Sequence, residues 1–181
     1  MNSNQKYTVR VLNADDAGAF RALRLHALKT EGEWLGPAYE DEVTIPYEQW
    51  REDVTPTEDM HYFGLFDRKK LIGAMRAAPW DEDNSRSTAL WGRTYLLPEY
   101  RNQGLAKPLY VMREQWTKEH SRYTSAVLFI KHNNERSKNI HLRHGAELMC
   151  SRNMEWPHRP SSVWNWYRVI LMKQEAARLV A

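Results

Sequence analysis

Between Thr88 and His120 the chain changes periodicity once, passing through Leu97-Pro98-Glu99-Tyr100-Arg101-Asn102-Gln103-Gly104-Leu105-Ala106. Before this segment, Thr88 to Leu97 reads as an apolar strand. After it, Leu105, Leu109, Met112 and Trp116 fall at helical spacing and predict an amphipathic helix to about His120. Pro108 suits only the first turn of such a helix. A strand joined to a helix through a basic, glycine-containing turn commits the chain to an α/β arrangement. The same turn leaves free N–H groups at a helix start, where the helix dipole favours phosphate oxygens. Gly104 lets backbone and ligand approach closely. No G-x-G-x-x-G and no G-K-[ST] occurs, so neither a dinucleotide fingerprint nor a P-loop accounts for the turn.

A second unit follows. Ala126-Val127-Leu128-Phe129-Ile130 reads as a buried strand of parallel type. Beyond it, Asn134, Ser137, Ile140 and Gly145 are spaced along a predicted helix. Elsewhere the patterns predict a strand at Tyr7 to Leu12, a helix at Asp15 to Thr30 and a break at Gly36-Pro37. A short helix at Pro46 to Val54 comes next, then a hairpin of His61 to Phe66 with Leu71 to Trp80. Two aromatic-rich strands, Glu147 to Trp156 and Val163 to Lys173, complete a mixed, mostly antiparallel α/β sheet. With large rings on both faces, Val163-Trp164-Asn165-Trp166-Tyr167 is expected to be covered by the first helix and by another layer or subunit, so a homodimer is expected.

Arg101 to Ala106 resembles the R/Q-x-x-G-x-G/A signature of the GCN5-related N-acetyltransferases (GNAT), and Asn134, Ser137, Ile140 and Gly145 resemble that family's second motif. The resemblance covers roughly residues 60 to 156. It implies the GNAT acyl-CoA N-acyltransferase fold, with six to seven mostly antiparallel strands and about four helices. It also implies acetyl-CoA as co-substrate and direct acetyl transfer to a primary amine: a small amine, an amino acid, a polyamine or a peptide amine. The cofactor would lie against Arg101, Asn102, Gln103, Gly104, Leu105 and Ala106, with Asn134 and Ser137 across from them. Backbone N–H groups of Leu96 and Leu97 would bind the thioester carbonyl and pantetheine amides. Relatives usually place a proton-donating tyrosine where this chain has His141, which makes His141 a candidate general acid; packing beside His144 is the alternative. The position of the usual glutamate base is Leu90, and no carboxylate lies between Thr88 and Pro98. Glu82, within Asp81-Glu82-Asp83, is a candidate base, a polar loop being the alternative. A non-catalytic acetyl-CoA sensor or assembly subunit of the same fold would account for both departures.

Length suits one domain over residues 1 to 181. The single cysteine, Cys150, leaves no internal disulfide and no multi-cysteine metal site, and no metal is expected. With no apolar leader and no run of membrane-spanning length, a cytoplasmic protein is expected. The formal net charge of +3 hides a division. Residues 31 to 59 carry ten acids against Arg51 alone, whereas residues 101 to 181 carry fourteen lysines and arginines against six acids. The basic half suits an anionic cofactor. An acidic wall around Glu33 would concentrate a cationic amine, unless those acids are simply a solvated face. Trp34, as a lid, and Trp80 are further acceptor-side candidates. Without a basic stripe, nucleic-acid binding is not expected.

Overall fold

The computed structural model describes residues 6–120 and 122–171. Strand β2 (His61–Asp67) is buried on both faces, because its alternate residues meet different helices. Tyr62 packs edge-on against Phe20 of α1 (Ala17–Glu31), at 4.8 Å between ring centroids, and Phe20 also meets Trp50 of α3 (Tyr47–Val54). On the opposite face His61 stacks on Trp116 of α4 (Ala106–Glu119) at 4.5 Å, with Phe63 beside it. The strand thus lies between two helical layers, and its neighbours extend that core.

Seven strands form one sheet in the order β1-β2-β3-β4-β5-β7-β6. They are β1 (Tyr7–Val11), β2, β3 (Lys70–Pro79), β4 (Thr88–Leu96), β5 (Ser125–Lys131), β6 (Glu147–Trp156) and β7 (Arg159–Ile170). Every pairing is antiparallel except β4 with β5, as expected for a mixed sheet. The fifth helix, α5 (Glu135–Arg143), ends in a left-handed Gly145 at φ +77°. There the N–H groups of Gly145 and Ala146 donate to Leu142 and His141 carbonyls, which explains the glycine of the second motif as a helix cap.

Two elements depart from the sequence-based expectation. The segment after Gly36-Pro37 forms a helix of its own, α2 (Tyr39–Val43), because Asp41 accepts the Ala38 N–H at 2.6 Å and caps it. Strand β7 begins at Arg159, before the expected Val163, since the β6–β7 hairpin pairs down to Trp156 and Arg159. Its expected end at Lys173 lies outside the described residues. Trp164 and Trp166 are buried against Phe129 of β5, with Trp156 and Trp80 completing the cluster, instead of against α1. Among the described residues no helix is long and apolar enough to cross a membrane.

A buried ion triad fixes how α1, α2 and β4 meet. Arg24 of α1 grips Glu42 of α2 with two hydrogen bonds of 2.7 and 2.8 Å, and Arg93 of β4 reaches both Glu42 oxygens at 3.2 and 3.3 Å. Glu42 is only 3% exposed. Burial raises its carboxyl, and the two guanidiniums more than offset this, holding it below the ordinary range. Removing the carboxylate leaves two cations facing each other, one of them, Arg24, buried, so Glu42→Ala should lose about 3 kcal/mol of stability in urea denaturation.

Candidate active site

Strands β4 and β5 pair only over Thr88–Leu90 with Ser125–Val127, where a Thr88–Ser125 hydroxyl contact of 3.1 Å pins the closed end. Beyond Leu90 the strands part. A register shift in the β3–β4 pairing places an extra residue in β4, and Arg93 adopts φ +50° there, next to Gly92. The gap opens into a continuous cleft of about 1370 Å³, running from the turn before α4, past the N-terminus of α5, to the loop between α1 and α2.

The backbone of β4 faces this gap with a free donor. Leu97 N–H donates to Ile72 of β3 at 2.9 Å. By strand alternation the N–H group of Leu96 therefore points the other way, where β5 no longer pairs. This corrects the expectation for Leu97, whose N–H is committed to the sheet and whose side chain is core at 8% exposure.

At the cleft's other side the turn before α4 forms a cradle. Asn102 and Gly104 have left-handed φ values of +59° and +73°. Among the described residues the N–H groups of Asn102, Gln103, Gly104, Leu105 and Ala106 donate to no acceptor. Successive N–H groups converging in this way form an anion-binding concavity at the helix dipole's positive end. Arg101 serves as a brace: its Nε donates to the Leu96 carbonyl at 2.8 Å and its guanidinium pairs with Glu31 at 2.8 Å. Gln103 turns its amide back to the Glu99 carbonyl, so only its backbone faces the cradle. Across the cleft, Asn134 caps α5 by accepting the Ser137 N–H at 3.1 Å, and Arg136 reaches Asn102 at 3.5 Å. Both motifs read from the sequence line the same cleft.

The candidate proton-transfer residues are placed differently. His141 lines the cleft but is 6% exposed, edge-on to Tyr110. Burial, then Arg113 and His144, lower its pKa to about 3, so the ring is neutral at neutral pH and cannot be an imidazolium acid. Glu82 lies outside the cleft in an exposed ion pair with Arg152 at 2.8 Å. The neighbouring Asp83 accepts the Thr88 and Ser85 N–H groups, so this acidic segment is a structured turn. Trp80 packs near Trp166, likewise outside the cleft. Glu33 is exposed, offering its carbonyl to Lys131, whereas Trp34 lines the cleft beneath the Lys131 ammonium. Of the ten acids in residues 31–59, only Glu31 lines the cleft, so the expected acidic wall is absent.

Sequence reasoning missed Arg113. It is 1% exposed, lies 4.2 Å above the Trp91 ring and 3.4 Å from the Thr94 hydroxyl, and has no carboxylate partner among the described residues. Burial lowers its pKa to about 10, leaving it charged at neutral pH. The signal was present: Arg113 sits one turn after Leu109, on the apolar stripe of α4.

The parted seam, the N–H cradle and the capped α5 define a domain of the acyltransferase class. The chain belongs to the Acetyltransferase (GNAT) family, whose sequence profile matches residues 22–146. No curated protein matches the chain in sequence. Among solved structures, it is similar to an acetyltransferase of the GNAT family from Streptococcus pneumoniae (14% identity, 92% of this chain and 99% of that one, TM-score 0.77). It is also similar to a candidate acetyltransferase from Salmonella typhimurium with its cofactor acetyl-CoA (15%, 95% and 98%, TM-score 0.76). A third is a ribosomal-protein-alanine N-acetyltransferase from Brucella melitensis (17%, 91% and 99%, TM-score 0.73). At these identities the likeness is one of fold.

Because the unfolded state binds a proton at His141 that the folded state excludes, stability should fall as pH drops below 6.5. Its slope should approach about 1.4 kcal/mol per pH unit until pH nears the folded pKa of about 3. Urea titrations of wild type and His141→Gln from pH 7 to pH 4.5 should show the steeper loss in wild type.

Proposed function

We propose that the protein transfers the acetyl group of acetyl-CoA directly to a primary amine. The observation that carries this reading is the run of free N–H groups from Asn102 to Ala106, in a turn that lines the same cleft as the Leu96 N–H group. The turn suits a pyrophosphate and the Leu96 N–H a thioester carbonyl, with an extended amide-bearing chain between them. Lys107, Arg136 and Arg143 line the cradle end and supply cations for further phosphate charge.

In the reaction a neutral amine attacks the thioester carbonyl carbon, a C–N bond forms, and the C–S bond breaks with its electron pair leaving on sulfur. Preorganised N–H donors at a developing oxyanion are worth about 3 kcal/mol each in acyl transfer. The departing thiolate has a pKa of about 8.5 and takes its proton from water. Arg113, a buried cation beside Thr94, stabilises that thiolate electrostatically until it is protonated. No carboxylate lies on β4, and Glu31 is held by Arg101, so the amine loses its proton to solvent.

Free thiol released from acetyl-CoA across a panel of amines tests the reading. With no enzymic base near neutrality, kcat/KM should rise about tenfold per pH unit from pH 6 until pH nears the acceptor's own pKa. Gly104→Val, which forces a branched residue into a left-handed turn, should weaken acetyl-CoA binding about tenfold or more. Binding of acetyl-CoA with no thiol release from any amine would instead favour a sensor that never transfers the group.

A further inference from the structure

The cleft's end near α1 and α2 is cationic, with a vacant position at its centre. Arg76 of β3 is the register partner of Gly92. The two residues therefore point to the same face, the α1 face, where the Arg76 guanidinium lies 5.9 Å from the Tyr62 ring centroid. A Cβ added to Gly92 would meet no atom within 4 Å, so there is open space beside Arg76. Next to Gly92, the bulge turns Arg93 toward Glu42 on that face. Arg24, Arg76, Gly92 and Arg93 all line the cleft.

The charges at this end do not balance. Both Glu42 oxygens are already held by Arg24, and Arg93 reaches the same carboxylate at longer range. The Arg76 side chain makes no hydrogen bond or ion pair among the described residues, and its Nε is buried without a partner. Asp53, the nearby acid on α3, forms no ion pair and accepts from Gln49 instead. Two guanidiniums thus share the Glu42 carboxylate, and the third, Arg76, has none, beside the open position at Gly92. Leaving the buried Nε donor unmet is costly, and a bound anion would meet it.

We propose that this position binds a carboxylate carried by the acceptor, making the acceptor a small amino carboxylate of the amino-acid type. The planar guanidinium fork of Arg76 matches a carboxylate with two parallel hydrogen bonds, and Arg93 adds charge from the adjoining residue. Gly92 leaves room for the acceptor's backbone atoms to lie flat on β4. The inference rests on the transfer reading above and narrows it: diamines and polyamines, which an acidic wall would have drawn, meet like charge here.

The test compares matched acceptors: amino acids, their methyl esters, and the amines lacking the carboxyl group. Thiol release from acetyl-CoA and calorimetric binding to CoA-loaded protein are measured with each. In wild type the amino acids should exceed both analogues by about tenfold or more in kcat/KM and in affinity. Arg76→Gln, which removes no side-chain hydrogen bond or ion pair among the described residues, should raise the amino-acid KM about tenfold while leaving the esters and amines within about twofold. An unchanged acetyl-CoA-induced rise in melting temperature would show that the variant is folded with its donor site intact. Esters or plain amines equalling the amino acids overturns the proposal. So does equal loss on all acceptors in Arg76→Gln, or failure of every amino acid to bind. Amino acids that bind in an Arg76-dependent way without thiol release would uphold the carboxylate site and defeat the transfer reading. Thiol release with plain amines alone would do the reverse.

Discussion

Three residue pairs hold the two halves of the sheet together along β4 and β5, and the site depends on their being so few. A parallel pair continued to Leu96 would satisfy its own backbone and close the cleft. Parting after Leu90 instead leaves two inner strand edges whose donors and acceptors face a gap, an arrangement that is costly unless water or a ligand completes it. The bulge at Arg93 bends β4 away, while the Thr88–Ser125 contact keeps the closed end from following. Arg101 secures the open end by tying the turn to the Leu96 carbonyl and to Glu31 of α1.

The Arg24–Glu42–Arg93 triad is better understood as a positioning device than as a source of stability. Desolvating three charges costs several kcal/mol per ion, and the attraction between them does little more than offset that. What it secures is orientation. Glu42 can satisfy both guanidiniums only when α2 sits over the bulge, so the short helix, the C-terminal half of α1 and the distorted strand are fixed together. The loop between α1 and α2 is held from the other side. Gly36 leaves space for the Trp156 ring, and Arg159 reaches the Pro37 carbonyl at 3.4 Å.

Most of the sheet and the cradle were readable in the sequence, because they rest on local periodicity and on glycines whose left-handed φ only a few residue types adopt. Strands β2 to β6 and both motif helices lie close to where their patterns place them. Side-chain roles decided by tertiary surroundings were not readable. His141 has the chemistry of an acid, and burial beside Arg113 keeps its ring from taking up a proton even in mild acid. Leu97 and Leu96 are adjacent and alike, and strand parity alone sends one N–H into the sheet and the other into the cleft. The acids of residues 31 to 59 form a clear charge block, yet a linear block does not reveal which members face inward. Nearly all turn to solvent or to arginines. Arg76 and Arg93 are seventeen positions apart and carry no motif; the register of β3 on β4 brings them together.

The narrow seam has a bearing on how long the protein survives in a cell. A molecule lying along the parted edges supplies hydrogen bonds that the chain itself leaves out, so its binding becomes part of the folding equilibrium. At a hundred times its dissociation constant such a ligand adds about 2.7 kcal/mol. Domains of this size are stable by only about 5–15 kcal/mol, so that increment is a sizeable share. Abundance of the folded protein would then follow the supply of the small molecule that fills the gap, and starvation for it would expose the opened sheet to proteolysis.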